Sequence, residues 1–150
     1  MSRLVPPAPI TAIFYTDGRA IDRVLARIAA HLAAQGLACA GFIQREEPRP
    51  GRSRCDMILE DLASGVRVGI SQDRGEGARG CRLDASELLR AMGLARQSLE
   101  RAPDLVVVNK FGRAEGDGGG FRPLIAEAVE RQIPVLVAVP VKNTESWRTF

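Results

Sequence analysis

Apolar positions at the start of the chain follow first a strand pattern and then a helical one. Ile10 to Tyr15 is a short run of strand-forming residues, and the polar turn Thr16-Asp17-Gly18 follows it at once. Apolar residues then recur at steps of three and four up to Leu32, and Gly36 stands where a helix C-cap is expected. The pattern predicts a strand, a turn and a helix with one face on a sheet.

The next apolar runs predict a strand and a hairpin. Leu37 to Gln44 is mostly apolar and predicts a second strand, whereas Arg45 to Arg54 is rich in proline and arginine and predicts an exposed loop. Asp56 to Leu62 and Val66 to Ser71 flank Ala63-Ser64-Gly65. That spacing is typical of an antiparallel hairpin whose glycine takes a positive φ.

The second half of the chain begins with a helix and a buried strand. A helix that carries Leu88 to Leu99 has Asp84 or Ser86 as its candidate cap and ends before Pro103. Leu105 to Val108 is apolar without alternation, which is typical of a strand buried on both faces of a parallel sheet. This run is the best candidate for a central strand.

The chain closes with a glycine-rich loop, a helix over Phe121 to Gln132 and a strand over Pro134 to Val139. Strands that alternate with helices predict one α/β domain over residues 1–150. We expect a three-layer, mainly parallel sheet flanked by helices, with an inserted antiparallel β-hairpin. Met1 to Pro9 is predicted to be a flexible lead, and Val141 to Phe150 a polar segment cut short of a terminal helix.

Composition and charge limit the classes of partner that the protein is expected to bind. The net charge is only +3, the arginines are scattered among acids, and 5% of residues are aromatic, so nucleic-acid binding is not predicted. No apolar run approaches the ~20 residues of a membrane span, and no signal peptide is recognised, so we expect a cytoplasmic protein without a membrane segment. Cys39, Cys55 and Cys81 lack a CxxC spacing, which favours reduced thiols.

Three loops are predicted at the carboxyl ends of parallel strands, where ligands of such sheets bind. They are Thr16 to Arg19, Asn109 to Arg113 and Pro140 to Asn143. Their side chains can converge on one ligand. The first loop has one glycine, no lysine and no following Ser or Thr, so it lacks the elements of a Walker A loop. Arg19 and the helix N-terminus still favour an anion, and a plain strand-to-helix turn is the alternative interpretation.

The residues at the end of the predicted central strand also differ from those that hold magnesium in P-loop enzymes. Asn109 and Lys110 stand where a Walker B acid and a second acid would be expected, so this position favours an anion over magnesium. Alternatively, Lys110 pairs with Glu115 or Asp117 on the surface. His31, the single histidine, is assigned no role, and no hydrolytic triad is supported.

Between Gln72 and Arg82, three glycines and three arginines alternate with acids. Glycines allow the backbone to approach a ligand closely, and the guanidinium groups of arginine bind oxyanions well. The alternative interpretation is a solvated loop without a ligand. Cys55 and Cys81 lie beside arginines, which leaves a redox or soft-metal role open. The residues predicted to bind a nucleotide or oxyanion are Thr16, Asp17, Gly18, Arg19, Asp73, Arg74, Arg79, Cys81, Asn109, Lys110 and Arg113.

The chain resembles the small P-loop nucleoside-triphosphatases over Asp104 to Glu115 and again at Ile133-Pro134-Val135. In those enzymes the central strand ends in Asp-Glu-Ile-Gly-Lys-Met-Glu. The runs Ser71 to Gly75, Gly80 to Asp84 and Asn109 to Gly112 are similar to a bacterial domain-of-unknown-function family related to those enzymes and associated with molybdate-transport genes. The resemblance covers nearly the whole chain and implies a P-loop-like fold with a link to molybdenum handling. Hydrolysis is not carried over, because the Walker residues are missing.

The leading hypothesis is therefore a degenerate P-loop-like protein that binds a small anion, either a nucleotide, phosphate or molybdate, without classical hydrolysis. No cofactor or metal is assigned. One alternative is an interaction or regulatory protein with a relic pocket, whose partner is a second copy of itself or a transporter subunit. The other is an enzyme of unrecognised type that uses Asp73, Glu115 or Cys81 on a phosphate ester or metal.

Overall fold

The computed structural model describes residues 9–46, 57–69, 71–72, 82–83, 85–110 and 121–149. These residues form eight strands: β1 Ile10–Tyr15, β2 Cys39–Glu46, β3 Met57–Asp61, β4 Arg67–Gly69, β5 Ser71–Gln72, β6 Arg82–Leu83, β7 Leu105–Asn109 and β8 Val135–Pro140. The α-helices are α1 Gly18–Ala34, α2 Ala85–Leu99, α3 Arg122–Glu130 and α4 Thr144–Thr149, and a 3-10 helix spans Val141–Asn143.

Six of the strands form one sheet in the order β1-β8-β7-β2-β3-β4. The pairs β1·β8, β8·β7 and β7·β2 are parallel, whereas β2·β3 and β3·β4 are antiparallel. The two short strands β5 and β6 pair separately. The predicted α/β architecture, a mostly parallel sheet flanked by helices with an antiparallel addition, is confirmed, and it is consistent with a P-loop-like fold.

Two hydrophobic cores lie on opposite faces of this sheet. The larger core joins the sheet to α2 and α3, where Leu124 is fully buried, and the smaller core joins it to α1 through Leu25. Successive residues of a strand point to opposite faces. Accordingly, β7 contributes Val106 and Val108 to the larger core and Val107 to the smaller one. A strand buried on both faces explains the continuous valine run.

The strand order reverses at one place that matters for ligand binding. From β1 the chain crosses by way of α1 to β2, and it later returns through β7 to β8, which lies between β1 and β7. Right-handed crossovers in opposite directions place their helices on opposite faces. The loops that follow β1 and β7 therefore leave the sheet on different sides, and a crevice opens at the carboxyl ends of these strands.

The helix and turn predictions around α1 and the hairpin are confirmed. Helix α1 ends two residues before Gly36, which has a φ of 80°, and Gly65 in the β3–β4 turn has a φ of 77°. Both glycines occupy the left-handed region that side chains with a Cβ adopt at a cost. Asp61 fixes the same turn, since its Oδ2 accepts hydrogen bonds from the backbone amide and the hydroxyl of Ser64.

Several boundaries differ from the prediction. Strand β2 continues to Glu46, so Arg45 and Glu46 belong to a strand and not to the predicted loop, because β3 pairs with this end of β2. The rest of the predicted loop, residues 47–54, lies outside the described residues. Helix α2 begins at Ala85, so Ser86 lies inside it and is not its cap, and Asp84 lies outside the described residues. Helix α3 is shorter than predicted at both ends, and Gln132 after it has a φ of 59°.

The predicted polar tail has regular structure. Residues 141–149 form the 3-10 helix and α4, and Trp147 packs against the larger core. This contact explains why a six-residue helix forms at all, since helices of that length are not stable in isolation. No helix in the described part of the chain combines the length and apolarity that crossing a membrane requires.

Candidate functional site

A cavity of about 600 Å³ lies at the carboxyl ends of β1, β7 and β8, in the crevice where the strand order reverses. We call it the lysine cavity. Its lining residues are Tyr15, Thr16, Gly18, Lys110, Pro140, Val141 and Lys142. All three loops that the sequence places at the carboxyl ends of strands thus contribute to one cavity. Thr16, Gly18 and Lys110 are the predicted ligand-binding residues among its lining.

The cations of this cavity are unusual for the chain. Of the 21 lysines and arginines in the sequence, two are lysines, and Lys110 and Lys142 both line this cavity. They come from different loops, after β7 and after β8, and both side chains are exposed to solvent. No carboxylate is present among the lining residues that the structure describes. The lysine cavity therefore carries two positive charges that face the same space.

The beginning of α1 is less suited to an anion than the sequence predicts. Asp17 is the N-cap residue, and its Oδ1 accepts hydrogen bonds from the backbone amides of Arg19 at 3.0 Å and Ala20 at 3.2 Å. A carboxylate thus already occupies the amides that an anion at this helix N-terminus would use. Asp17 acts here as a helix cap. An anion in the lysine cavity has to be held mainly by the lysines.

Asn109, the last residue of β7, is buried and joined to α1. The residue is 3% exposed, and its Nδ2 donates a 2.8 Å hydrogen bond to Oδ1 of Asp22. The amide oxygen Oδ1 of Asn109 is buried without a hydrogen-bond partner in the described part of the chain. The carboxylate next to the end of β7 is therefore that of Asp22 on α1. The sequence analysis does not single out Asp22, although its position next to the buried Ile21 in an apolar pattern could have indicated that it lies near the sheet.

Tyr15, which lines the lysine cavity, carries a neutral hydroxyl. Burial raises the pKa of Tyr15 to about 12, and the negative charge of Asp22 adds to the shift. The phenol therefore stays protonated well above neutral pH and can donate a hydrogen bond at any physiological pH. The protonated phenol therefore adds no negative charge to the lining of the cavity.

This pKa is directly measurable, because Tyr15 is the single tyrosine of the chain. A spectrophotometric titration of the phenolate is expected to give a midpoint near 12 in the folded protein and near the usual value of about 10 in urea. In Asp22→Asn the midpoint should fall, because one cause of the shift is removed, but burial should keep it above 10. Equal midpoints in the folded and unfolded chain would contradict the placement of Tyr15.

The other predicted site residues are not in the lysine cavity. Arg19 lines a separate groove between α1 and the β2–β4 end of the sheet. Asp17 and Asn109 lie nearby as the helix cap and as the buried end of β7. The predicted residues Asp73, Arg74, Arg79, Cys81 and Arg113 lie outside the described residues, as do Glu115 and Asp117, the alternative partners of Lys110, and Cys55.

The redox or soft-metal role that the sequence leaves open for Cys55 and Cys81 is not tested, because both lie outside the described residues. Among the residues that the structure describes, no group of three or more His, Cys, Asp and Glu side chains could hold a metal ion. Burial raises the pKa of the Cys39 thiol, and the charge of Asp104 adds to this effect. Cys39 is therefore a protonated, half-buried thiol, and such a thiol is a poor nucleophile.

Comparisons with known proteins give a family and one relative. The family described as "Protein of unknown function (DUF2478)" matches residues 10–150. The chain is 35% identical over 146 residues to "Molybdenum import ATP-binding protein ModC 2" of Bradyrhizobium diazoefficiens. The match covers 97% of this chain and 16% of that relative, so the chain spans about a sixth of the relative's length. No solved structure matches the chain.

Proposed function

We propose a function on the premise that the chain belongs to DUF2478, a family of proteins of unknown function. The chain is a non-hydrolysing, P-loop-like module that binds an oxyanion in the lysine cavity. The ligand is a free tetrahedral oxyanion such as molybdate or phosphate, or the phosphate of a nucleotide. One observation carries the proposal: both lysines of an otherwise arginine-based chain line the same cavity at the reversal of strand order.

The chemistry of the cavity supports an oxyanion. The ammonium groups of Lys110 and Lys142 are compact charges with three donors each, and the hydroxyls of Thr16 and Tyr15 supply uncharged donors. A volume of about 600 Å³ accommodates a hydrated oxyanion or the phosphate end of a larger ligand. Two cations that face one space without a carboxylate in the described lining repel each other, and an anion relieves that repulsion.

The same surroundings argue against hydrolysis. Hydrolysis by P-loop enzymes depends on a positioned water and on magnesium, which the Ser or Thr of the P-loop and a Walker B acid hold. Here Asn109 occupies the end of β7, and Asp22 is engaged by the Asn109 amide. The carboxylate of Asp17 also takes the amides that would wrap a phosphate. Binding without turnover is the activity that these residues support.

The relative supports a place in molybdenum import. It is named for ATP binding, but the matched region makes up 16% of its length, so ATP binding by that relative does not have to reside in this region. A module that binds an oxyanion beside an import ATPase would sense the concentration of the oxyanion that the transporter imports. We therefore favour molybdate as the ligand and a regulatory role, with a transporter-associated protein in the cytoplasm as the partner.

Isothermal titration with molybdate, phosphate, sulfate and ATP tests this function. We expect binding of at least one oxyanion and a weakening of roughly 10- to 100-fold in Lys110→Ala or Lys142→Ala, the range set by losing a charged hydrogen bond. Arg90→Ala is the matched control, because Arg90 is an exposed cation on α2 that pairs with Glu87, and neither residue lines the cavity. Arg90→Ala should leave the affinity unchanged.

Lysine labelling gives a second measurement on the same protein. With two lysines in the chain, trinitrobenzenesulfonate followed by peptide mass spectrometry reports on Lys110 and Lys142 individually. The bound oxyanion should slow the modification of both lysines but not that of the α-amino group. If no anion binds, or if labelling of the lysines is unaffected by saturating anion, the proposal is wrong and an interaction protein with a relic pocket becomes the better hypothesis.

A further inference from the structure

A second concave surface lies between α1 and the antiparallel end of the sheet. We call it the arginine groove. It measures about 490 Å³, and its lining residues are Arg19, Asp22, Arg23, Ala26, Gln44, Arg45 and Arg67. It shares no lining residue with the lysine cavity, although Gly18 of that cavity directly precedes Arg19. The two surfaces therefore flank the first turn of α1.

Two of the arginines are held in place by one carboxylate. Glu60 on β3 bonds Nη2 of Arg45 through its Oε2 at 3.1 Å and Nε of Arg67 through its Oε1 at 3.3 Å. The register places Glu60 directly opposite Arg67. The side chain of Glu60 is 17% exposed, whereas those of Arg45 and Arg67 remain 42% and 49% exposed. Both guanidinium groups are oriented and still present surface to the groove.

Cations outnumber acids in the described lining of the groove. That lining carries four guanidinium groups and one carboxylate, that of Asp22, and the carboxylate of Glu60 lies beside it. One oxygen of Asp22 also accepts the Asn109 amide. The cations stand on both walls, with Arg19 and Arg23 one turn apart on the helix and Arg45 and Arg67 on the sheet. A concave surface lined by guanidinium groups on two walls attracts and concentrates anions.

We propose that the arginine groove binds a compact polyanion with two or more linked phosphoryl groups. Guanidinium forks recognise phosphoryl oxygens in a bidentate way, which lysine does not do. Cations on two opposing walls match a ligand that carries several charges better than one with a single charge. The volume lies in the range of about 300 to 1,000 Å³ that is usual for small-molecule sites. The ligand is an inorganic polyphosphate or the phosphate chain of a nucleotide.

Isothermal titration of the full chain with tripolyphosphate tests this site. It is carried out in wild type and in the Lys110→Ala/Lys142→Ala double variant, so that failure of the lysine cavity does not affect the result. We expect binding in both proteins. Removing a groove arginine by Arg23→Ala or Arg67→Ala should weaken binding about tenfold or more.

Arg27→Ala is the matched control, because Arg27 is an exposed arginine on the same helix that does not line the groove. It should change the affinity less than twofold, and circular dichroism should show that every variant is folded. Tighter binding of ATP than of tripolyphosphate identifies a nucleotide as the source of the phosphoryl groups, and equal binding identifies free polyphosphate. The proposal is overturned if tripolyphosphate does not bind, if Arg27→Ala weakens binding as much, or if hexaglutamate binds equally well.

Discussion

Gly41→Ala is expected to lower the free energy of unfolding by at least about 3 kcal/mol, a large share of the stability of a small domain. Gly41 lies in the middle of β2 with a φ of 95°, which an alanine adopts only under strain. A Cβ at this position would overlap the carbonyl oxygen of Val107 and come within 2.8 Å of its backbone nitrogen. These are backbone atoms of the central strand, so they cannot move aside without breaking β7 from β2.

Urea unfolding followed by circular dichroism measures this loss, and Gly65→Ala is its control. Gly65 also has a positive φ, of 77°, but nothing lies within 4 Å of the place where its Cβ would be. Its replacement should therefore cost only the conformational term, about 1 kcal/mol. If both variants lose the same stability, the close approach of β2 to β7 is not what requires glycine at position 41.

Strand and helix identities were predictable where a side-chain period decides them. The unbroken apolar run of β7 and the three- and four-residue steps of α1 each match one element of the structure. A strand buried on both faces needs a continuous apolar run, and a helix buried on one face needs apolar residues at steps of three and four. Both patterns can be read without knowing which distant residues are in contact. Gly36 and Gly65 mark turns for a similar reason, since the local backbone requires their positive φ.

Features that depend on distant residues were not predictable from the pattern. The end of β2 looks polar in the sequence because it carries Arg45 and Glu46, and only the pairing with β3 makes it a strand. Helix α4 depends on Trp147 meeting the core. Local propensity has little weight where tertiary contacts decide.

The candidate site also has features that the sequence predicts and features that it does not. Its place was predictable, because the carboxyl ends of parallel strands meet at one edge of a sheet. Lys142 lay in a predicted loop but was not singled out, since nothing local connects it with Lys110. Arg19 was predicted to join that site and lines the arginine groove instead. The bond between Asn109 and Asp22 joins residues 87 positions apart, a separation that no sequence pattern indicates.

Asn109→Asp is expected to destabilise the protein by about 3 kcal/mol near pH 8 and by much less near pH 4. The new carboxylate would lie at hydrogen-bond distance from Oδ1 of Asp22 in a buried position, and two such groups cannot both stay ionised at low cost. One of them takes up a proton, so the pKa of the pair is raised in the folded state. A raised pKa of an acid means that stability is lost as the pH rises above the unfolded value of about 3.9.

Urea unfolding of wild type and variant from pH 4 to pH 8 gives the difference in unfolding free energy at each pH. The exchanged pair Asp22→Asn/Asn109→Asp is the matched control, because it restores one amide donor and one carboxylate acceptor in the same place. It should recover most of the lost stability and remove the added pH dependence. A loss in Asn109→Asp that is the same at every pH, or that the exchange leaves unchanged, would show that charge repulsion is not its cause. If the loss follows pH as expected, Asp22 on α1 excludes a second acid from the end of β7. The absence of a Walker B carboxylate then has a structural cause within this fold.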